Sequence, residues 1–346
     1  VPYYTMFADS VGYIILNRFT ENCARDVRLS LVDLKNRGAR KLILDLRGNG
    51  GGSLAEAVDI VGLFVPKGTK VVSTRGKLSQ ASQTFKTQRE PLDLTIPLVV
   101  LVDGQSASAS EIVAGAIQDL DRGVVMGWRT FGKGLVQSVR ELPYNSSLKI
   151  TTSKYYTPSG RCVQKIDYSK AVRSKGEEDK TESAPGEFYT LSGRPVKAAG
   201  GITPDVVLKE LAVPNLLFYL ANSDILFDFA TDYAHSHPTI APVDDFVVDD
   251  SLYAAFKEAV KASDFKYDRQ SEKALVALKE VAAFEGYLDE ASETFALLEK
   301  QLSHDIDRDF EYFDQRIREL LADELVSRYY YQRGAIIQAI KSDSTV

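Results

Sequence analysis

The chain has 346 residues, of which 44% are hydrophobic and 26% charged, and its formal net charge is −6. This composition is typical of a folded globular protein, and the length predicts one domain of ordinary size with a second, smaller one. The acidic balance argues against nucleic acid and anionic membranes as partners, because both require a basic surface. No apolar run approaches the roughly 20 residues that span a bilayer.

Strand and helix patterns alternate along the first part of the chain. The strand-like runs are 11–19, 41–46, 70–74, 96–102 and 123–127, and the helix-like runs are 23–36, 54–64 and 107–119. This alternation predicts crossover units and an α/β layered core. From 138 to 156 the hydrophobic period changes to two, which predicts a β-rich edge.

The second part of the chain has a different character. Residues 165–186 are highly charged and predict a surface loop, and helical periodicity dominates from 214 to 340. Apolar steps of three and four from Phe295 to Leu325 predict an amphipathic helix or helix pair. We therefore divide the chain into an α/β core over 1–210 and a helical region over 211–346. The helical region shows no catalytic pattern, and its apolar stripe could pack on the core or form a homo-oligomer interface.

Histidine and cysteine indicate no metal or redox site. His235, His237 and His304 all lie in the helical region, and we interpret His235-Ser-His237 as a surface loop because no further ligand flanks it. Cys23 and Cys162 allow one disulfide at most, and neither belongs to a C-x-x-C pair. We interpret both as unpaired apolar residues and expect neither a metal nor an organic cofactor.

Three serines, in the run Ser106-Ala-Ser-Ala-Ser110, follow the predicted strand 96–102 and open a predicted helix. A strand-to-helix turn of small residues can expose a nucleophile beside the backbone N–H groups of a helix N-terminus. The local alternative is that Ser108 forms a capping box with Glu111. The two interpretations are compatible if Ser106 or Ser110 bonds the local backbone while Ser108 faces a cleft.

Lys133 lies between two glycines, which let the backbone turn sharply. A serine hydrolase whose histidines lie outside the core needs another base, and a lysine in a desolvated site can serve. The alternative for a loop lysine is a solvated surface charge. A phosphate loop is not indicated, because Gly134 follows Lys133. The S-x-x-K match Ser146–Lys149 falls on a strand pattern, where residues three apart face opposite sides.

Five motifs together resemble those of the C-terminal processing, or tail-specific, peptidases. They are Asp45-Leu-Arg-Gly-Asn-Gly-Gly-Gly52, Ser106-Ala-Ser-Ala-Ser-Glu-Ile112, Thr130-Phe-Gly-Lys-Gly134 with Gln137, Tyr155-Tyr-Thr-Pro-Ser-Gly-Arg161 and Gly201-Ile-Thr-Pro-Asp205. The resemblance implies a crotonase-like α/β core. It also implies a serine-type endopeptidase that cleaves proteins through a Ser-Lys dyad and an acyl-enzyme.

The resemblance also implies a role for individual residues. Ser108 would be the nucleophile, Lys133 its base, and Gln137 the residue that orients the lysine. The oxyanion would be bound by the backbone N–H of Ala109 together with that of Gly51 or Gly52. The residues with supporting roles would be Asp45, Arg47 and Asp119.

Two departures from the family pattern stand out. Such peptidases usually carry a PDZ domain ahead of the strand 11–19, where it would bind the C-terminus of a substrate. Only ten residues precede that strand here, so we expect this chain to lack the domain. Gly50 stands where the family commonly has proline, a change expected to loosen the loop without removing a donor. The family also implies a protein or peptide substrate and a location in the bacterial periplasm or cell envelope.

Three alternatives remain beside an active peptidase. Retinoid-binding proteins resemble the same core without proteolysis, but the presence of both Ser108 and Lys133 argues against such a module. A crotonase-type acyl-CoA enzyme would lack the serine–lysine pair and the motif 155–161. The third alternative is a latent peptidase, misaligned for want of its PDZ domain. Hydrogen-bond reach between Ser108 Oγ and Lys133 Nζ would indicate competence, and a wide gap would indicate latency.

Overall fold

The computed structural model describes residues 1–166, 187–198, 200–209, 213–303, 305–343 and 345. The chain divides into two compact units, Val1–Glu210 and Leu211–Val346. Three features of the sequence lie outside the described residues: His304, most of the predicted loop over 165–186, and the predicted domain boundary at 210/211.

Unit 1 contains both strands and helices. Its strands in chain order are β1 (Tyr3–Phe7), β2 (Val11–Ile15), β3 (Lys41–Asp45), β4 (Lys70–Gly76), β5 (Gln83–Lys86), β6 (Leu98–Val102), β7 (Val124–Gly127), β8 (Leu135–Leu142), β9 (Ser146–Tyr156), β10 (Phe188–Tyr189), β11 (Pro195–Val196) and β12 (Val206–Val207). Its α-helices are α1 (Cys23–Asn36), α2 (Leu54–Val61) and α3 (Ala109–Asp119), and short 3-10 turns lie at Ala8–Ser10 and Ser79–Ala81. The predicted mixed α/β class is confirmed.

The strands form a large sheet and two smaller ones. The large sheet has the order β1-β2-β3-β6-β7-β12, with β1 antiparallel to β2 and the other neighbours parallel. A second, antiparallel sheet has the order β5-β4-β9-β8, and β10 pairs with β11. The strands β1, β5, β10, β11 and β12 had no clear signal in the sequence, because they are short or lie at sheet edges.

The predicted helices and strands agree with the structure to within a few residues at their ends. The helix α1 has the predicted bounds, and its buried residues pack with β2, β3 and β6 in one core. The helix α3 begins at Ala109, two residues later than predicted, because Ser108 has a φ of 57° and cannot belong to a helix.

The parallel pairing of β3 with β6 brings two of the sequence motifs together. Asp45 at the end of β3 lies opposite Leu101 near the end of β6. Parallel strands have their carboxyl ends at the same edge of a sheet, which is where α/β folds bind ligands. The glycine-rich loop 48–52 and the serine turn 106–110 therefore meet at this edge.

Unit 2 is helical in the residues that the structure describes. Its helices are α4 (Asn215–Ala221), α5 (Asp224–Ser236), α6 (Asp250–Ala262), α7 (Gln270–Glu285), α8 (Ser292–Leu302), α9 (Ile306–Tyr312) and α10 (Asp314–Lys341). It has a core of its own, in which Phe256, Phe310 and Leu321 are fully buried. No helix within the described parts of the chain is long and apolar enough to cross a bilayer.

Two details of unit 2 differ from the prediction. The stripe from Phe295 to Leu325 spans three helices rather than one or two, because Asp305 caps α9 by accepting a hydrogen bond from the N–H of Arg308 at 3.1 Å. His235 lies in the last turn of α5 rather than in a loop, and His237 follows that helix with its ring stacked on Tyr233 at 4.0 Å.

Candidate active site

A cavity of about 600 Å³ opens beside the serine turn. The glycine-rich loop, α3 and the hairpin β8–β9 all contribute to its walls. The lining residues are Asn17, Arg18, Gly50, Gly51, Gly52, Leu54, Ser108, Ile112, Lys133, Leu135, Val136, Gln137, Lys149 and Tyr155. Ser108, Lys133 and Gln137, which stand apart in the sequence, therefore share one cavity.

Ser108 has an unusual backbone conformation. Its φ of 57° and ψ of −110° lie in a region that residues with a side chain rarely adopt. Such strain costs about 1–3 kcal/mol and persists only when neighbouring contacts impose it. Here the N–H of Ser108 donates to Glu111 Oε2 at 2.9 Å, and its carbonyl accepts from the Tyr155 hydroxyl at 3.1 Å. The turn is thus held in place from two sides.

The two neighbouring serines bond backbone carbonyls while Ser108, among the described residues, does not, but these carbonyls belong to the distant segment 46–49 rather than to the local backbone that the sequence suggested. Ser106 Oγ donates to the carbonyl of Leu46 at 2.8 Å, and Ser110 Oγ donates to the carbonyl of Asn49 at 2.8 Å. Both serines are fully buried, whereas Ser108 is only half-buried and lines the cavity. Ser108 is therefore the serine of this run that a substrate can reach.

The glycine-rich loop packs directly against Ser108. A Cβ atom on Gly51 would lie 2.6 Å from the carbonyl oxygen of Ala107 and 2.8 Å from Ser108 Cβ. Gly51 also has a φ of +97°, so both its conformation and its surroundings require glycine. Gly50 lacks a positive φ and has open space around it, which is compatible with the proline that the family commonly has there.

The hydrogen bonds of this loop show which of the candidate oxyanion donors are already engaged and which are free. The N–H of Gly51 is not available, because it donates to Asn49 Oδ1 at 2.9 Å. Among the described residues, none accepts a hydrogen bond from the N–H of Gly52 or of Ala109. Gly51 is buried and Gly52 is exposed. Of the two glycines named from the sequence, only Gly52 has a free donor at the cavity.

Lys133 precedes β8, and Gln137 lies within it. Both line the cavity; Lys133 is half-buried and Gln137 exposed. Within the described part of the chain, no hydrogen bond joins Lys133 Nζ to Ser108 Oγ or to the Gln137 side chain. The structure thus places the three side chains together without direct bonds between them. Catalytic hydrogen bonds are often long in unliganded sites and shorten when substrate binds.

Glu111 connects the serine turn to the lysine loop. Besides the N–H of Ser108, its fully buried carboxylate accepts from Thr130 Oγ1, from the N–H of Gly132 and from the N–H of Lys133, at 2.7–2.9 Å. Burial raises the pKa of the Glu111 carboxyl, and the four hydrogen bonds oppose that rise. The capping pattern located Glu111, but its bonds to a loop 20 residues away could not be predicted from local spacing.

Asp45 and Arg47 form one group at the base of the glycine-rich loop. Asp45 is almost fully buried and accepts from the Tyr13 hydroxyl at 2.7 Å. It also accepts from the backbone N–H of Arg47 at 2.9 Å and from Arg47 Nε at 3.0 Å. The pair therefore fixes the chain where β3 leads into the loop.

Asp119 lies at the end of α3 and pairs with Arg161. Arg161 Nη2 donates to Asp119 Oδ1 at 2.7 Å, and their side chains are 1% and 0% exposed. Asp119 Oδ2 also accepts from the N–H of Ser159. This buried ion pair joins the helix behind Ser108 to the motif 155–161.

The two cysteines are not among the described residues that line the cavity. Cys23 and Cys162 are free thiols, and burial is the main cause that raises the pKa of each, for Cys23 to about 12. Within the described ranges, no group of three His, Cys, Asp or Glu residues is arranged to bind a metal.

Comparison with known proteins identifies the two parts of the chain. Residues 10–172 match peptidase family S41, and residues 216–346 match the C-terminal helical domain of a probable PDZ-protease. Together with the site, these matches show that unit 1 is similar to the core of a serine-type peptidase. More particularly, the stretch 10–172 resembles peptidase family S41 over slightly less than half of the chain.

Similar proteins carry names that describe C-terminal processing. A carboxy-terminal-processing protease of Bartonella bacilliformis is 41% identical over 160 residues, which are 45% of this chain and 37% of that protein. A chloroplastic carboxyl-terminal-processing peptidase of Arabidopsis thaliana is 41% identical over 150 residues, 43% of this chain and 30% of that one. The chain thus spans about a third of the length of these relatives. Among solved structures, the photosystem II D1 C-terminal processing protease is 30% identical with a TM-score of 0.44, over 59% of this chain and 45% of the other.

Proposed function

We propose that this chain is a serine endopeptidase of the C-terminal processing type, which cleaves protein substrates with Ser108 as nucleophile and Lys133 as base. The observation that carries the proposal is the position of Ser108, held in a strained turn at a cavity that Lys133 also lines. Strained backbone that neighbouring contacts impose is typical of functional sites. The names of the relatives support the same activity.

In the proposed mechanism the neutral amine of Lys133 takes the Oγ proton of Ser108 while Oγ attacks the scissile carbonyl carbon. The N–H groups of Ala109 and Gly52 donate to the oxyanion that develops. The C–N bond breaks as Lys133 returns the proton to the leaving amine. Lys133 then takes a proton from a water molecule, whose oxygen attacks the carbonyl carbon of the acyl-enzyme ester. The bond from that carbon to Ser108 Oγ breaks, and Lys133 returns the proton to Oγ. Gln137 would position the lysine during these steps.

A second candidate is a latent form of the same peptidase. It is favoured by the missing hydrogen bond between Ser108 and Lys133 and by the engagement of the Gly51 N–H with Asn49. In this case substrate or a further domain would have to draw the lysine toward the serine. The match of unit 2 to a domain of PDZ-proteases supports selection of substrates by their C-terminal region.

The test is reaction of the full chain with a fluorophosphonate probe, mapped by mass spectrometry. We expect labelling at Ser108, because Lys133 would accept the proton of its hydroxyl as the probe reacts. It should disappear in Ser108→Ala and fall by about 100-fold or more in Lys133→Ala, the range for loss of a general base. Labelling that appears only after peptide is added would indicate the latent form. A folded chain without labelling or cleavage of denatured casein under either condition would instead indicate a binding module.

Two finer proposals follow from the family resemblance. The parallel order β2-β3-β6-β7 with its crossover helices supports a core of the crotonase type. We also propose a location in the bacterial periplasm or cell envelope, which cell fractionation would test.

A further inference from the structure

The charged residues that line the cavity all have basic side chains. Its described lining includes Arg18, Lys133 and Lys149 but no Asp or Glu. The nearby carboxylate of Glu111 is fully buried and already accepts four hydrogen bonds. The chain as a whole carries a net charge of −6, so this cavity differs in charge from the average of the molecule.

Two of these cations have no role in the proposed mechanism, and they lie on different walls. Arg18 directly precedes Phe19, which pairs with Gly52 on the glycine-loop side. Lys149 lies in β9 opposite Val139, on the same face of the hairpin as Gln137. A peptide that reaches Ser108 would pass close to both side chains.

Neither cation is neutralised by the residues that the structure describes. Arg18 and Lys149 are exposed, and no described carboxylate lies within ion-pair distance of either. Glu141 shares the hairpin face of Lys149 but lies two residues beyond Val139 and does not line the cavity. Lys133 already has a role in the mechanism above, so Arg18 and Lys149 are the two cations of the described lining that are left to bind a peptide carboxylate.

We propose that Arg18 and Lys149 determine specificity, by selecting peptides that carry a carboxylate within a few residues of the bond to be cleaved. This inference rests on the proposed function and adds a substrate class to it. Arginine binds carboxylates with a planar fork of donors, whereas lysine contributes a point charge. The carboxylate could belong to an Asp or Glu side chain or to the end of the peptide, and the two sources share this chemistry.

The test uses the full chain with Ser108→Ala, so that peptides bind without being cleaved. The probes are fluorescent, amidated alanine-rich heptapeptides with one Glu or one Gln at each position in turn, and a Gln peptide with a free C-terminal acid. Fluorescence polarisation at low salt should show at least about tenfold tighter binding of one or more Glu peptides than of their Gln counterparts. Tighter binding of the free acid alone would assign the carboxylate to the chain end. The preference should weaken as salt is added.

Substitutions then assign the preference to the two cations. Arg18→Gln and Lys149→Gln should each reduce the discrimination by several-fold, and together they should abolish it. Arg140→Gln is the matched control, because Arg140 lies on the opposite face of the same hairpin. Equal binding of acidic, amide and free-acid peptides, or no binding of any up to 1 mM, would overturn the inference.

Cleavage by the active chain separates this inference from the function on which it rests. Arg18→Gln and Lys149→Gln should raise KM for an acidic peptide while probe labelling of Ser108 continues. Labelling with unbiased cleavage would reject the specificity and keep the peptidase. A binding preference without labelling or cleavage would reject the peptidase.

Discussion

At the scale of single residues, the site depends on groups that impose an unfavourable conformation on Ser108. Contacts to Glu111, Tyr155 and the glycine-rich loop offset the free-energy cost of the strained turn. Each of these contacts comes from a different element of unit 1. Changes to single atoms there should therefore affect Ser108 more than equal changes elsewhere on the surface.

Glu111→Gln is expected to lower both stability and reactivity. All four hydrogen-bond partners of the Glu111 carboxylate are donors. An NH₂ group in place of one carboxylate oxygen would face a donor and leave at least one of these four donors without an acceptor. An unsatisfied buried donor costs about 1–3 kcal/mol. Urea unfolding should show a loss of that size, and probe labelling of Ser108 should slow. Glu141→Gln, an exposed change on the hairpin, is the control, and equal behaviour of the two variants would contradict the role of Glu111.

Gly51→Ala should be damaging and Gly50→Ala nearly neutral, although the two residues are adjacent. The Gly51 variant combines a positive φ, which costs about 1–2 kcal/mol for other residues, with contacts under 3 Å to backbone atoms. It should be destabilised by more than about 2 kcal/mol and lose probe labelling. Gly50→Ala should unfold within about 1 kcal/mol of the original chain and remain reactive. Normal probe labelling of Gly51→Ala would show that the loop can rearrange to accommodate the added methyl group, which would contradict this prediction.

At the scale of elements, buried polar contacts join α3 to segments distant in sequence. The helix contacts the glycine-rich loop through Ser110, the lysine loop through Glu111 and the motif 155–161 through Asp119. Its buried face thus aligns three motifs that the chain separates by up to about a hundred residues. The helix is the element on which the site is assembled.

The ion pair between Asp119 and Arg161 gives a prediction at this scale. Removal of one partner of a buried pair leaves a charge without compensation and typically costs about 3–5 kcal/mol. Arg161→Met should therefore destabilise unit 1 by that amount in urea unfolding. Arg194→Met is the control, because Arg194 pairs with Asp121 while its side chain is 46% exposed, and exposed pairs contribute about 0–1 kcal/mol. Similar losses of unfolding free energy in the two variants would show that burial of the ion pair does not determine how much it contributes to stability.

At the scale of the whole molecule, each of the two units has a hydrophobic core of its own. The sequence motifs lie in unit 1, whereas unit 2 contains a half-buried acid, Asp323, with one oxygen that lacks a hydrogen-bond partner among the described residues. In the described part of the chain, Asp323 Oδ1 on α10 is buried and accepts no hydrogen bond. Burial and, to a smaller extent, the nearby carboxylates of Glu319 and Glu324 raise the pKa of Asp323 to about 6.

Asp323→Asn should change how stability depends on pH. A carboxyl with a higher pKa in the folded than in the unfolded state stabilises the fold below the unfolded value of about 3.9. That contribution is lost as the pH rises through about 6. Between pH 5 and 8 the Tm of unit 2 should therefore fall more in the original chain than in Asp323→Asn. Asp228→Asn, an exposed change on α5, should follow the original chain; if Asp323→Asn does so too, burial of the charge is not the cause.

The sequence by itself determined the α/β class, most of the elements, the helical second part and the motifs that contain Ser108 and Lys133. These features could be predicted because local periodicity and short motifs depend only on residues that are close together in the sequence. Only the tertiary structure decided that Gly51 donates to Asn49, that Glu111 spans two loops, and that Arg18 and Lys149 face one cavity. Those facts depend on strand pairing and backbone torsions that bring distant residues within hydrogen-bond distance. The segments that contain Ser108 and Lys133 were therefore predictable, whereas the hydrogen bonds and the charge around these residues were not.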